Sequence, residues 1–135
     1  MLLVDTNVLL DVVTADPVWA DWSQRQLENL ALQTRLAINP VVYAELSIGF
    51  QRIDEVDAVL AVTAVEIEEI PRPALFLAGK AFRDYRARGG ARRGVLPDLF
   101  IGAHAVVART AVLTRDAGRY RTYFPSITLI TPGDA

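Results

Sequence analysis

The chain has no cysteine and a single histidine, His104. Without thiols there is no disulfide, no thiolate nucleophile and no cysteine-held zinc, a composition that suits a reducing cytoplasm. One histidine argues against a ribonuclease built on a two-histidine acid–base pair. Set among Gly102, Ala103, Ala105 and Val106, His104 reads as a packed core or interface residue. No Gly-x-Ser-x-Gly elbow is present to support a serine hydrolase. Long apolar runs are missing as well. The longest, Val95 to Leu113, is interrupted by Pro97, Asp98, His104 and Arg109 and is not expected to span a membrane. The N-terminus lacks a basic region and its apolar start is cut by Asp5 and Asp11, so no secretory signal is expected. With no repeat, low-complexity tract or linker, residues 1–135 are expected to form one domain.

What is abundant is apolar surface. Of 135 residues, 52% are hydrophobic, and mean hydropathy is +0.25. A chain this size does not hide all of that alone, so a self-association or partner face is expected. The net charge of −2 conceals an asymmetry: residues 1–71 carry 12 acids and 3 bases, residues 72–121 carry 11 bases and 3 acids. That division fits a nucleic-acid face, an acidic–basic partner contact, or simply two solvated faces.

Short apolar segments alternate with helical patterns. Strands are predicted at Leu2–Val4, Arg35–Ile38, Val65–Ile70, Ala111–Thr114 and Thr128–Ile130. Helices are predicted at Asn7–Val13, Trp19–Leu32, Pro40 to about Phe50, Ile53–Val62, Pro73–Arg88, Pro97 to about Arg109, and around Ala117–Tyr120. Asn39-Pro40 has the form of a helix cap followed by a first-turn proline. Alternation of this kind implies crossover connections and a mostly parallel sheet with helices on both faces, an α/β/α sandwich. Ligands bind such sheets beyond the carboxyl ends of their strands.

Four acids interrupt that pattern. Asp5 ends the first strand; Glu45 lies on a helix face shared with Val41, Val42, Ile48 and Gly49. Asp98 follows Pro97 at a helix start, and Asp116 follows the strand Ala111–Leu113. Each has an ordinary explanation: helix capping for Asp5 (a job that Thr6 could do itself) and for Asp116, helix-dipole stabilisation for Asp98, and solvent exposure for Glu45. Together they can converge on one edge of the sheet, where four carboxylates repel unless a cation compensates. Oxygen-only ligation points to Mg2+ or Mn2+ rather than zinc. An acidic metal pocket beside arginines is the arrangement that phosphodiester hydrolysis needs.

The segments MLLVDTNVLLD, NPVVYAELSIGF, LPDLFIGAHAVV and AVLTRDAGRYRTYFP resemble, in order and spacing, the signatures of PIN-domain ribonucleases, in particular VapC toxins of toxin–antitoxin pairs. The resemblance covers nearly the whole chain. It implies a PIN-like fold and Mg2+ (or Mn2+) held by Asp5, Glu45, Asp98 and Asp116, with Asp5 and Asp98 central. It further implies a supporting hydroxyl at Thr114 and a brace for the first acid at Asn7. Where some relatives carry a further Asp or Asn after the fourth acid, this chain has Gly118 and Arg119, which leaves open whether a second ion is fully ligated. A homodimer, a VapB-like antitoxin partner and cleavage of structured RNA such as tRNA, in the cytoplasm, complete the expectation.

The basic stretch Lys80–Gly94 divides in two. Arg83, Arg86 and Arg88 fall at a helix end, where cations are favoured in any case. Arg92 and Arg93 stand in a glycine-rich loop before Asp98, and with Arg115 they are candidates for RNA-backbone contact. The reaction expected is attack of water, not the 2′-hydroxyl, on phosphorus, leaving 5′-phosphate and 3′-hydroxyl ends. A phosphoaspartyl enzyme of the haloacid-dehalogenase kind expects an aspartate two places after the first, where Asn7 stands. A PIN domain that only binds RNA or a partner, and a PIN nuclease of RNA processing, are the alternatives. Trp19 and Trp22, three apart, read as packing residues.

Overall fold

The computed structural model describes residues 1–90 and 96–133. In chain order the elements are β1 (Leu2–Val4), α1 (Thr6–Val13), α2 (Ala20–Ala31), β2 (Leu36–Ile38), α3 (Pro40–Ser47) and α4 (Ile53–Thr63). Then come β3 (Val65–Ile67), α5 (Arg72–Ala87), α6 (Leu96–Ala108), β4 (Ala111–Leu113), α7 (Gly118–Tyr123) and β5 (Leu129–Ile130). The five strands form one sheet in the order β3-β2-β1-β4-β5, every neighbouring pair parallel. Connections step outward from β1 to β3 on one side and from β4 to β5 on the other. With the usual right-handed crossover, that reversal puts helices on both faces, as the alternating pattern predicts.

β1 is central, and Leu2, Leu3 and Val4 are all buried. A strand covered on both faces has to be apolar throughout, which explains its uninterrupted run. Around it pack Val8 and Leu9 of α1, Val42 and Leu46 of α3, Ile101 of α6, and Val112 and Leu113 of β4. A second cluster joins α5 to α6 through Ala74, Ala78, Ala81, Leu99, Ala103 and Phe124. The approach is so close that a Cβ at Gly102 would collide with the Phe124 ring. Among the described residues no helix is long and apolar enough to cross a membrane.

Two elements are shorter than the sequence suggests. α3 ends at Ser47, not near Phe50, because Ile48, Gly49 and Phe50 donate to the carbonyls of Glu45, Leu46 and Ser47, three residues back, which tightens the chain out of the helix. Ile48 is consequently 85% exposed and takes no part in the apolar stripe around Glu45. β3 stops at Ile67 rather than Ile70: its neighbour β2 gives up its last pairing carbonyl, Ile38, to Glu68 N–H (2.7 Å) and then turns into α3. There the Asn39 side chain accepts from Val41 and Val42 N–H, both at 3.0 Å, so the expected cap is the observed one.

Candidate active site

The sheet reverses its winding between β1 and β4, and ligands favour the crevice beyond the strands at such a point. Asp5 leaves β1 there and Thr114 leaves β4. Asp5 occupies the N-cap position of α1 but makes no capping bond with its side chain; nor does Thr6, now the first helical residue, serve as the cap. The Asp5 carboxylate turns to the end of β4 and to α7 instead. Its Oδ2 accepts from Thr114 Oγ1 (2.8 Å), Tyr120 Oη (2.9 Å) and, more loosely, Asn7 Nδ2 (3.4 Å). Asn7 also reaches Thr114 Oγ1 (3.3 Å) and accepts from Arg115 N–H (3.4 Å), so it links the ends of both strands.

The Thr6 hydroxyl donates to Glu45 Oε1 at 2.7 Å, fixing a half-buried carboxylate on α3. Asp98, in the first turn of α6, sits near the positive end of that helix dipole. Its Oδ2 meets Arg119 Nη1 at 2.6 Å. Asp116 is exposed beyond β4. It caps nothing with its side chain, while its backbone N–H donates to Thr114 Oγ1 (3.1 Å).

Electrostatics binds the four into one site. Asp5 is held up at about 6, first by burial and then by the charge of Asp98, against the lowering pull of the Thr114 and Tyr120 hydroxyls. Burial likewise raises Glu45, which also feels Asp98. Asp98 is raised by burial and by Asp116, with Arg119 pulling the other way. Tyr120, buried beside Asp5, is pushed well above the ordinary phenol range and so stays a donor. The carboxylates offer an all-oxygen donor set, the chemistry that a hard divalent ion takes. As placed, no three acids or histidines among the described residues close on a common point that could hold an ion. Asp98 is paired with Arg119 and Glu45 is bonded to Thr6 instead.

The remaining sequence candidates fall elsewhere. Arg115 does not hang free: its Nε meets Asp11 Oδ2 at 2.8 Å, and its guanidinium lies 5.8 Å from the centre of the Trp19 ring. Asp11 is almost wholly buried and also accepts from Ser23 Oγ (2.8 Å). Trp19 and Trp22 meet edge to face at 6.3 Å, in keeping with a packing role. His104 is buried 3.5 Å from Asn39 Nδ2, a core position whose burial lowers its proton affinity. Arg92 and Arg93 lie outside the described residues. Sequence reasoning read Thr6 only as a possible cap, and overlooked Tyr120 and the pairing of Arg119. Only for Tyr120 did a signal exist, since a buried tyrosine needs a hydroxyl partner.

Fold and site together define a parallel α/β protein with coupled acids at the switch point of its sheet. The chain belongs to the PIN-domain family, whose model matches residues 2–125. Its fold is similar to that of a chain in VapBC2 from Rickettsia felis bound to a promoter DNA fragment, with a TM-score of 0.72 at 21% identity over 96% of this chain and 97% of that one. A chain of a toxin–antitoxin complex from Klebsiella pneumoniae matches with a TM-score of 0.69 at 22% identity over 98% of each. FitAcB from Neisseria gonorrhoeae gives 0.69 at 21% identity over the full length of both chains. No curated protein sequence matches the chain.

Proposed function

We propose that this protein is a metal-dependent endoribonuclease and the toxin of a VapBC-type toxin–antitoxin pair. One observation carries the nuclease reading. Acids from four separate segments are electrostatically coupled at the switch point of the sheet, and the innermost, Asp5, is held at about 6. A binding module has no physical use for such a cluster.

Asp5 and Asp98 would hold Mg2+ or Mn2+, with Glu45 and Asp116 completing the set. The chemistry such an ion supplies is a more acidic water and a counter-charge for the phosphate. This chain's own residues do the rest. Thr114, Tyr120 and Asn7 aim the Asp5 carboxylate, and Thr6 aims Glu45. The basic second half of the chain, Arg92 and Arg93 with it, would draw in RNA by its phosphates.

The neighbouring folds come from toxin–antitoxin complexes, which supports a VapB-like antitoxin as partner. Exposed apolar side chains such as Leu32 (87%), Val62 (86%) and Phe76 (69%) supply surface for that partner and for a homodimer. The reading places the pair in the cytoplasm, acting on structured RNA such as tRNA. The chemistry of the product ends tests the reaction. Labelled RNA should yield 5′-phosphate and 3′-hydroxyl termini. Termini carrying 2′,3′-cyclic phosphate would mean that the RNA's own hydroxyl attacks and that the proposed mechanism is wrong.

A further inference from the structure

One cation already stands inside the acid cluster. Arg119, on the first turn of α7, binds Asp98 at 2.6 Å, with both side chains about three-quarters buried at 28% and 26% exposure. The next residue, Tyr120, binds Asp5 through its hydroxyl at 2.9 Å. A single short helix therefore serves two of the acids in different ways, a neutral donor to one and a full charge to the other. Asp98 is also the acid most widely coupled to the others: its charge bears on Asp5 and Glu45 and Asp116 bears on it, while Glu45 acts on Asp5 directly. A guanidinium on Asp98 thus offsets the charge that bears on Asp5 and Glu45. Among the described residues, Asp98 is the only ion-pair partner of Arg119.

We infer that Arg119 is the resident counter-cation of this site, and that a divalent ion binds by taking Asp98 from it. The inference rests on the reading of the acids as metal ligands and deepens it. Asp98, one of the two central acids of that reading, is engaged with a side chain of the same molecule. Competition has two sources with the same sign. An incoming ion would have to separate Arg119 from Asp98, and Arg119 would then repel it as a like charge. Arg119 is in this sense a positioning residue that sets how tightly the site takes its metal.

The test is calorimetric titration of Mn2+ into the wild-type protein, Arg119→Met, Arg119→Lys and Arg121→Met, with circular dichroism to check that each is folded. Methionine keeps most of the arginine stem, and Arg121 is an exposed cation on the same helix. Arg119→Met should bind Mn2+ about five- to tenfold more tightly than wild type, the scale of a partly buried ion pair. Arg119→Lys and Arg121→Met should stay near wild type. Equal or weaker binding by Arg119→Met overturns the inference while leaving the metal site standing. So does an equal gain in Arg121→Met, which would reduce the effect to net charge. Absence of Mn2+ binding in every variant, wild type included, overturns the metal reading and the inference together.

Discussion

Thr114 Oγ1 donates to Asp5 Oδ2 at 2.8 Å across 109 positions of sequence, joining the carboxyl ends of β4 and β1 where the sheet changes direction. The bond favours the charged carboxylate, and it opposes the burial that holds Asp5 up. Thr114→Val keeps the shape and removes the donor. It should cost about 1.5–3 kcal/mol near neutral pH, the range for a hydrogen bond to a charged group. The loss should be smaller in mild acid, where Asp5 is protonated and needs the donor less. Urea unfolding at two pH values measures both.

The elevated proton affinity of Asp5 makes stability depend on pH with a definite sign. Between the ordinary carboxylate value of 3.8 and about 6, the folded protein keeps a proton that the unfolded chain has released. Stability of the metal-free protein should therefore fall as pH rises through that window, by about 3 kcal/mol at most from this group. Glu45 and Asp98 are shifted in the same direction and add to the slope. Asp5→Asn should flatten the dependence and be more stable than wild type near pH 7, which denaturation at a series of pH values would show.

Arg115 has a structural task whatever else it touches. Its partner Asp11 is only 2% exposed in its side chain, and losing the guanidinium leaves that buried carboxylate with Ser23 alone. Arg115→Ala should destabilise the fold by about 3 kcal/mol or more. Combining Arg115→Met with Asp11→Asn should recover much of the loss, since both charges then go together. A drop in RNA affinity for the single variant has to be read against its stability.

Gly102 holds α6 against Phe124. Gly102→Ala would place a methyl group inside the ring's volume and should cost about 1–3 kcal/mol. Pairing it with Phe124→Leu should return part of that stability, as a thermal melt of the single and double variants would reveal.

Much of this molecule is legible in its sequence because local rules agree with the fold. An apolar β1 has to be central, Asn39-Pro40 has to open a helix, and alternating strands and helices have to build a parallel sheet. The same logic singles out Asp5, Glu45, Asp98 and Asp116, since each has an ordinary explanation but no single one accounts for all four at one edge of the sheet. What escapes is the identity of their partners. Thr6 looks like a cap for its own helix yet spends its hydroxyl on Glu45, 39 positions away. Arg115 looks free beside Asp116 yet turns to Asp11. Periodicity fixes which face a residue lies on, but not which side chain from a distant segment meets it there. The end of β3 escapes for a related reason, because it depends on what the neighbouring strand does with its last carbonyl, and the end of α3 because its closing turn tightens onto carbonyls three residues back.

The most direct test of the central claim is cleavage of RNA by purified wild type and Asp98→Asn, with Mg2+ or Mn2+ and again with EDTA. Asp98→Asn loses its pairing with Arg119 but relieves repulsion on Asp5, so the protein should remain folded. The account predicts cleavage by wild type only when metal is present, and none by Asp98→Asn under either condition. Cleavage by Asp98→Asn at the wild-type rate, or undiminished cleavage in EDTA, would contradict it.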